Sequence, residues 1–137
     1  MSYDPRYIKG FEFFNAREFF EAHEVWEELW HETHGEPRNF IQGLIQAATA
    51  LHHFQNSNLK GAKLLYESFI ELLAPYPSPY MGVDVAKFKA DIDACFQGLV
   101  PYAVESLPGR YTPGKENFPV QAEESKIPVV PLPHATA

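Results

Sequence analysis

Apolar residues recur three and four positions apart along most of the chain, which is the period of an amphipathic α-helix. The longest such pattern covers residues 37–55, and its opening proline suits the first turn of a helix. A second pattern follows Asn58, which can cap a helix, and ends at Pro75. A third begins at Asp84 and stops at Pro101. No useful length of β-type alternation is present, so the pattern predicts an all-α protein.

A further helix, which we call the signature helix, is predicted over residues 16–34. Asn15 and Glu18 have the spacing of a capping box at its start, and Phe14 and Phe19 have the spacing of a hydrophobic staple. Gly35 stands where a left-handed residue commonly ends a helix. We therefore expect the signature helix to lie directly before the helix over 37–55 and to pack against it.

The two ends of the chain are less regular. Asp4 followed by Pro5 suits a short turn of helix before Gly10. From residue 106 onward proline recurs and the apolar residues no longer have helical spacing, which is typical of an extended or disordered tail. We expect residues 1–105 to form an antiparallel bundle of about four main helices, and residues 106–137 to form a proline-rich C-terminal tail.

Charge and composition restrict the classes of partner. The net charge is −7, and residues 16–34 carry six Glu against one Arg, so a nucleic-acid partner is not expected. No apolar segment approaches the roughly 20 residues that a membrane span needs. Cys95 is the single cysteine, and no segment resembles a signal peptide, so we expect a cytoplasmic protein that does not bind membranes.

His23 and Glu27 are the most unusual pair in the signature helix. They lie one turn apart, and they are flanked by the aromatic residues Phe20, Trp26 and Trp30. Polar groups among aromatic side chains need a partner, because burying them without a hydrogen bond is costly. The spacing allows this pair to share a metal ion, a proton or a hydrogen bond.

The motif HEVWE resembles the zinc-binding motif HExxH, with Glu27 in place of the second His. Under a metal interpretation His23 and Glu27 are ligands of a divalent ion such as zinc, iron or manganese, and Glu24 stands where a general base would be. A catalytic zinc site normally has three protein ligands. His52 is the best candidate for the third ligand, and His34 is another.

Arg38 favours a different interpretation. Arg38 and Gln42 lie on one flank of the helix over 37–55, together with His52. An arginine close to Glu27 would satisfy the carboxylate as an ion pair and repel a cation. Two hypotheses therefore stay open: a metal or small-molecule site between the two helices, or a non-catalytic interaction module in which His23, Glu27 and Arg38 form a structural buried polar network.

The run FNAREFFEAHEVWEELW, followed by Arg38 and by FIQGLIQAATALHHF, resembles the family known as domain of unknown function 309. The resemblance covers roughly residues 5–73. It implies a small helical bundle, sometimes labelled a predicted metal-dependent hydrolase, in which Arg38 would bind an anionic substrate group. The sequence also leaves a small-molecule ligand and a homodimer open as partners. The candidate site residues are His23, Glu24, Glu27, Arg38 and His52, with Trp26, Trp30, His34 and Gln42 lining the site.

Overall fold

The computed structural model of the chain describes residues 2–109, 120 and 122–133. Within these residues the fold is all-helical, as predicted, and no helix there is long and apolar enough to cross a membrane. The described part contains five α-helices, one more than the four main helices expected. They are α1 Pro5–Asn15, α2 Phe19–His31, α3 Pro37–Gln55, α4 Leu59–Leu73 and α5 Val85–Phe96.

Local capping interactions define where most helices begin. The Asp4 side chain accepts a hydrogen bond from the Arg6 N–H at the start of α1, and Asn58 accepts one from Gly61 at the start of α4. Asp84 accepts from the Lys87 N–H at the start of α5. Each cap satisfies a backbone donor that has no partner within its own helix. The starts predicted for α4 and α5 are therefore confirmed, and α3 begins at Pro37 as predicted, without a side-chain cap.

The predicted boundaries of the signature helix are wrong at both ends. The helix before it does not stop at Gly10, because α1 continues to Asn15. The signature helix is α2, which begins at Phe19 without a side-chain cap, so the capping box is absent. It ends at His31, and Gly35 lies in the following loop with φ +77°. The Asn15 side chain instead binds the backbone of Val130.

The helices pack antiparallel around α3, which lies between α2 and α4. On one side, α1 packs on α2, where the Trp26 indole donates to the Tyr7 carbonyl at 3.0 Å. On the other side, α3 and α4 approach closely at Gly43, where a Cβ would stand 2.6 Å from the Leu73 side chain. The site helices α2 and α3 are thus held from both sides by a packed core.

Part of the predicted tail packs on the bundle. Leu107, Ile127 and Val130 are buried in the same hydrophobic core as the helices. Residues 110–119, 121 and 134–137 of that tail lie outside the described residues. The division of the chain at residue 105 stays a prediction.

Candidate functional site in the groove between α2 and α3

Two ring contacts fix how α2 lies along α3. The Phe20 ring centroid is 5.7 Å from that of His52, and the Arg38 Cζ is 3.8 Å from the centroid of the Trp30 ring. Phe20, at the start of α2, thus meets the end of α3, and Trp30, near the end of α2, meets the start of α3, so the two helices run antiparallel. We call the surface between these two contacts the α2–α3 groove. Phe20 and Trp30 from α2, with Arg38 and His52 from α3, form its two ends, and His23 and Glu27 lie between Phe20 and Trp30 along α2.

His23 and Glu27 bind each other. His23 Nε2 lies 2.8 Å from Glu27 Oε2, and the two side chains are 27% and 45% exposed. The other Glu27 oxygen, Oε1, lies 3.8 Å from His31 Nε2. Glu27 is therefore flanked by an imidazole one turn before it and another one turn after it. His31 is not among the candidates from the sequence, although its spacing of four from Glu27 is sufficient to predict this contact.

Arg38 contacts an aromatic ring rather than a carboxylate. Its guanidinium lies over the Trp30 ring, and among the described residues no carboxylate lies within the 4.0 Å of an ion pair with it. The ion pair between Arg38 and Glu27, which belongs to the structural-network hypothesis, is therefore not formed. Trp30 Nε1 is buried and has no hydrogen-bond acceptor in the described part of the chain. A stacked guanidinium keeps its in-plane N–H donors free for another partner.

The remaining candidates occupy different environments. Glu24 and His34 are exposed, and His34 lies beyond the end of α2. His52 packs against Phe20. In the described ranges, no three His, Cys, Asp or Glu side chains are grouped so that they could hold a metal ion. The metal assignment of His23, Glu27 and His52 stays a prediction.

The two tryptophans of α2 differ in role. Trp26 is fully buried and forms part of the core between α1 and α2. Trp30 is partly buried and forms one end of the α2–α3 groove beneath Arg38. Gln42 is half-buried on α3, one turn after Arg38. The groove therefore has one cationic, aromatic end at Trp30, an imidazole–carboxylate pair in its middle, and a second aromatic end at Phe20.

The fold and this groove define a class of protein: a small antiparallel helical bundle with a polar and aromatic groove on one helix pair. Residues 7–65 match the model of the family described as Domain of unknown function (DUF309), in agreement with the resemblance seen in the sequence. The matched segment contains α2 and α3, and therefore the whole groove.

Two curated relatives are similar to this chain. The Uncharacterized protein YpuF of Bacillus subtilis (strain 168) is 41% identical over 63 residues, which cover 45% of this chain and 36% of the relative. An Uncharacterized protein of Aquifex aeolicus (strain VF5) is 31% identical over 81 residues, covering 58% of this chain and 24% of the relative. The chain thus spans about a third and about a quarter of these two relatives. No solved structure matches it significantly.

Proposed function

We propose that the α2–α3 groove binds a small molecule that carries a negatively charged group. The observation that carries this proposal is the position of Arg38, whose guanidinium is stacked 3.8 Å over the Trp30 ring. The contact with the ring restricts the guanidinium, and no described residue accepts a hydrogen bond from it. Because the edge of a guanidinium matches carboxylate and phosphate groups in a bidentate manner, Arg38 supplies the anion-recognising element.

The pair of His23 and Glu27 supports the same ligand class. Glu27 engages Nε2 of His23 at 2.8 Å, which orients the imidazole and leaves Nδ1 for a ligand. The two side chains are only partly buried, so a small molecule can reach them. Gln42 adds an amide beside Arg38 that can donate or accept. The ligand would thus be held by its charge at Arg38 and oriented by polar contacts along the groove.

Metal-dependent hydrolysis is a second candidate, favoured by the close approach of His23 and Glu27. It would require the hydrogen bond between them to open so that both could coordinate one ion, and it would require a third ligand. His31, 3.8 Å from Glu27, is the nearest additional imidazole. The anion-binding proposal needs neither change, and we therefore favour it.

Benzoate and inorganic phosphate are suitable probes, since one adds an aromatic ring to the charge and the other does not. We would titrate each into the full chain and follow amide resonances by NMR. We expect saturable shifts at α2 and α3, and at least a tenfold loss of affinity in Arg38→Gln. Arg6→Gln is the matched control, because Arg6 is bound to surface carboxylates away from the groove.

Two results would contradict the proposal. One is the absence of saturable shifts up to about 10 mM of either probe, where a ligand of millimolar affinity would be nearly saturated. The other is equal binding by Arg38→Gln and Arg6→Gln. A parallel titration with Zn²⁺ tests the second candidate: stoichiometric binding that is lost in His23→Ala would favour the metal site instead.

A further inference from the structure

The segment 127–133, which we call the C-terminal strap, lies on the bundle with a period of three residues. Its buried positions are Ile127, Val130 and Pro133, whereas Val129 is 65% and Leu132 is 44% exposed. Three residues per turn is the repeat of the polyproline II helix. The strap has the sequence IPVVPLP, whose three prolines favour that conformation. One face of a segment with the polyproline II repeat therefore packs against the domain.

The domain holds the strap through its backbone. Asn15 accepts from the Val130 N–H and donates to the Val130 carbonyl, both at 2.8 Å. Arg17 donates to the carbonyls of Pro128 at 2.9 Å and Ile127 at 2.7 Å. A polyproline II segment makes no hydrogen bonds of its own, so its backbone groups are free to be bound in this way. Such contacts recognise an extended chain irrespective of its outward side chains.

These two side chains lie at the end of α1 and in the turn between α1 and α2. Arg17 lies in that turn with φ +66°, a conformation that few non-glycine residues adopt. A cavity of about 210 Å³ lies between the strap and α5, lined in part by Lys87, Phe88 and Asp91. We call the surface between the turn and α5 on which the strap lies the strap groove, and this cavity adds space beside the strap there.

The strap groove and the strap belong to different parts of the chain. Asn15 and Arg17 lie within residues 7–65, which match the family, whereas the strap lies outside them. We propose that the strap groove is a binding site for extended, proline-containing segments of partner proteins with apolar side chains three residues apart. In this chain the strap occupies the site as an intramolecular ligand, and a partner segment of the same spacing replaces it.

An intramolecular ligand competes at an effective concentration in the millimolar range, so the test must first weaken the strap. Val130→Asp does this in the full chain, because it places a charge at a buried position and leaves the groove residues intact. Val129→Asp is the matched control, since it places the same charge at the exposed neighbour. The probe is a labelled synthetic peptide of residues 124–133, and circular dichroism verifies that each variant is folded.

We expect the Val130→Asp chain to bind the peptide at least about tenfold more tightly than the unaltered chain or the Val129→Asp chain. A peptide carrying Val130→Asp should fail to bind, and one carrying Val129→Asp should bind normally. Adding Asn15→Ala to the Val130→Asp chain should weaken binding at least about tenfold. Adding Asn39→Ala, an exposed residue on α3, should leave binding unchanged.

The proposal is overturned if the folded Val130→Asp chain binds no peptide at millimolar concentration, or if it binds both altered peptides equally. Should Val130→Asp prevent folding, Val130→Ala takes its place. That change removes most of the buried side chain without adding a charge. Binding of the Val130→Asp peptide and the Val129→Asp peptide to this chain is then compared in the same way.

Discussion

Gly10 lies directly against the indole of Trp26, so that a Cβ on Gly10 would stand 1.9 Å from Trp26 Nε1. That nitrogen donates to the Tyr7 carbonyl, one turn earlier in α1. We expect Gly10→Ala to lower the free energy of unfolding by about 2–3 kcal/mol, because the added methyl must push α1 away from α2. Without that contact alanine would stabilise a helix interior by about 1 kcal/mol.

Urea denaturation of Gly10→Ala measures this effect. Glu12→Ala, at an exposed position of the same helix, is the control and should change the free energy of unfolding by no more than about 0.5 kcal/mol. A Gly10→Ala chain as stable as the unaltered protein would contradict the close packing of α1 on α2.

The sequence predicted those helices whose ends are decided locally. Asn58 and Asp84 cap the helices that follow them, and both signals lie within three residues of the bonds they make. Asn15 was misassigned because its partner, Val130, lies 115 residues away. A capping-box spacing cannot reveal that the side chain is already engaged by a distant segment.

The candidate site, like the helices, was predictable only where it depends on residues close together in sequence. The pairing of His23 with Glu27 follows from helical spacing, and the structure contains it. The position of Arg38 depends on how α3 is placed along α2, which no local pattern specifies. Its contact is Trp30 rather than Glu27, since the two helices meet at that end through the aromatic ring.

His23→Ala tests whether the pair with Glu27 stabilises the fold. Because both side chains are partly exposed, we expect a loss of less than about 1 kcal/mol in the free energy of unfolding. A buried network would lose about 3–5 kcal/mol when one partner is removed. Chemical denaturation distinguishes the two, and a loss in the higher range would favour the structural-network hypothesis.

Arg6 links the start of α1 to the end of α2 and should make stability depend on pH. Its Nη2 lies 3.0 Å from Asp4 and its Nη1 lies 2.8 Å from Glu32. Hydrogen bonds from Arg6 lower the pKa of both carboxyl groups below their ordinary values of 3.8 and 4.5. The stabilisation is therefore complete above those values and is lost as the pH falls through the lowered pKa values.

We expect Arg6→Gln to reduce the free energy of unfolding at pH 7, and the difference from the unaltered chain to shrink as the pH falls below 4.5 and then 3.8. Urea denaturation at several pH values measures the difference. Lys87→Gln, which removes a separate ion pair with Asp91, provides a comparison outside α1 and α2. A constant difference across the acid range would show that Arg6 does not control these two carboxyl groups.

Cys95 should report whether the strap is in place. Its thiol donates to the carbonyl of Lys126, the residue before the strap, at 3.3 Å, and burial raises its pKa to about 11. At pH 8 we expect alkylation by iodoacetamide to be at least about a hundredfold slower than that of a free cysteine, because the thiolate is the reactive form. The rate should rise with pH up to the raised pKa.

Val130→Asp should accelerate this alkylation, since displacing the strap uncovers the thiol, whereas Val129→Asp should not. Mass spectrometry of samples quenched over time gives both rates. Equal rates in the two variants would indicate that the segment around Lys126 stays on α5 when the strap is released.

The way the strap is held also determines how segments similar to it can be recognised in other sequences. Asn15 and Arg17 bind main-chain atoms, and only the three inward side chains must fit. The outward residues, Val129 and Leu132 among them, can then be substituted in evolution without weakening the contact with the groove. Segments that suit this domain can therefore differ from one another at most positions, and spacing will identify them better than sequence identity.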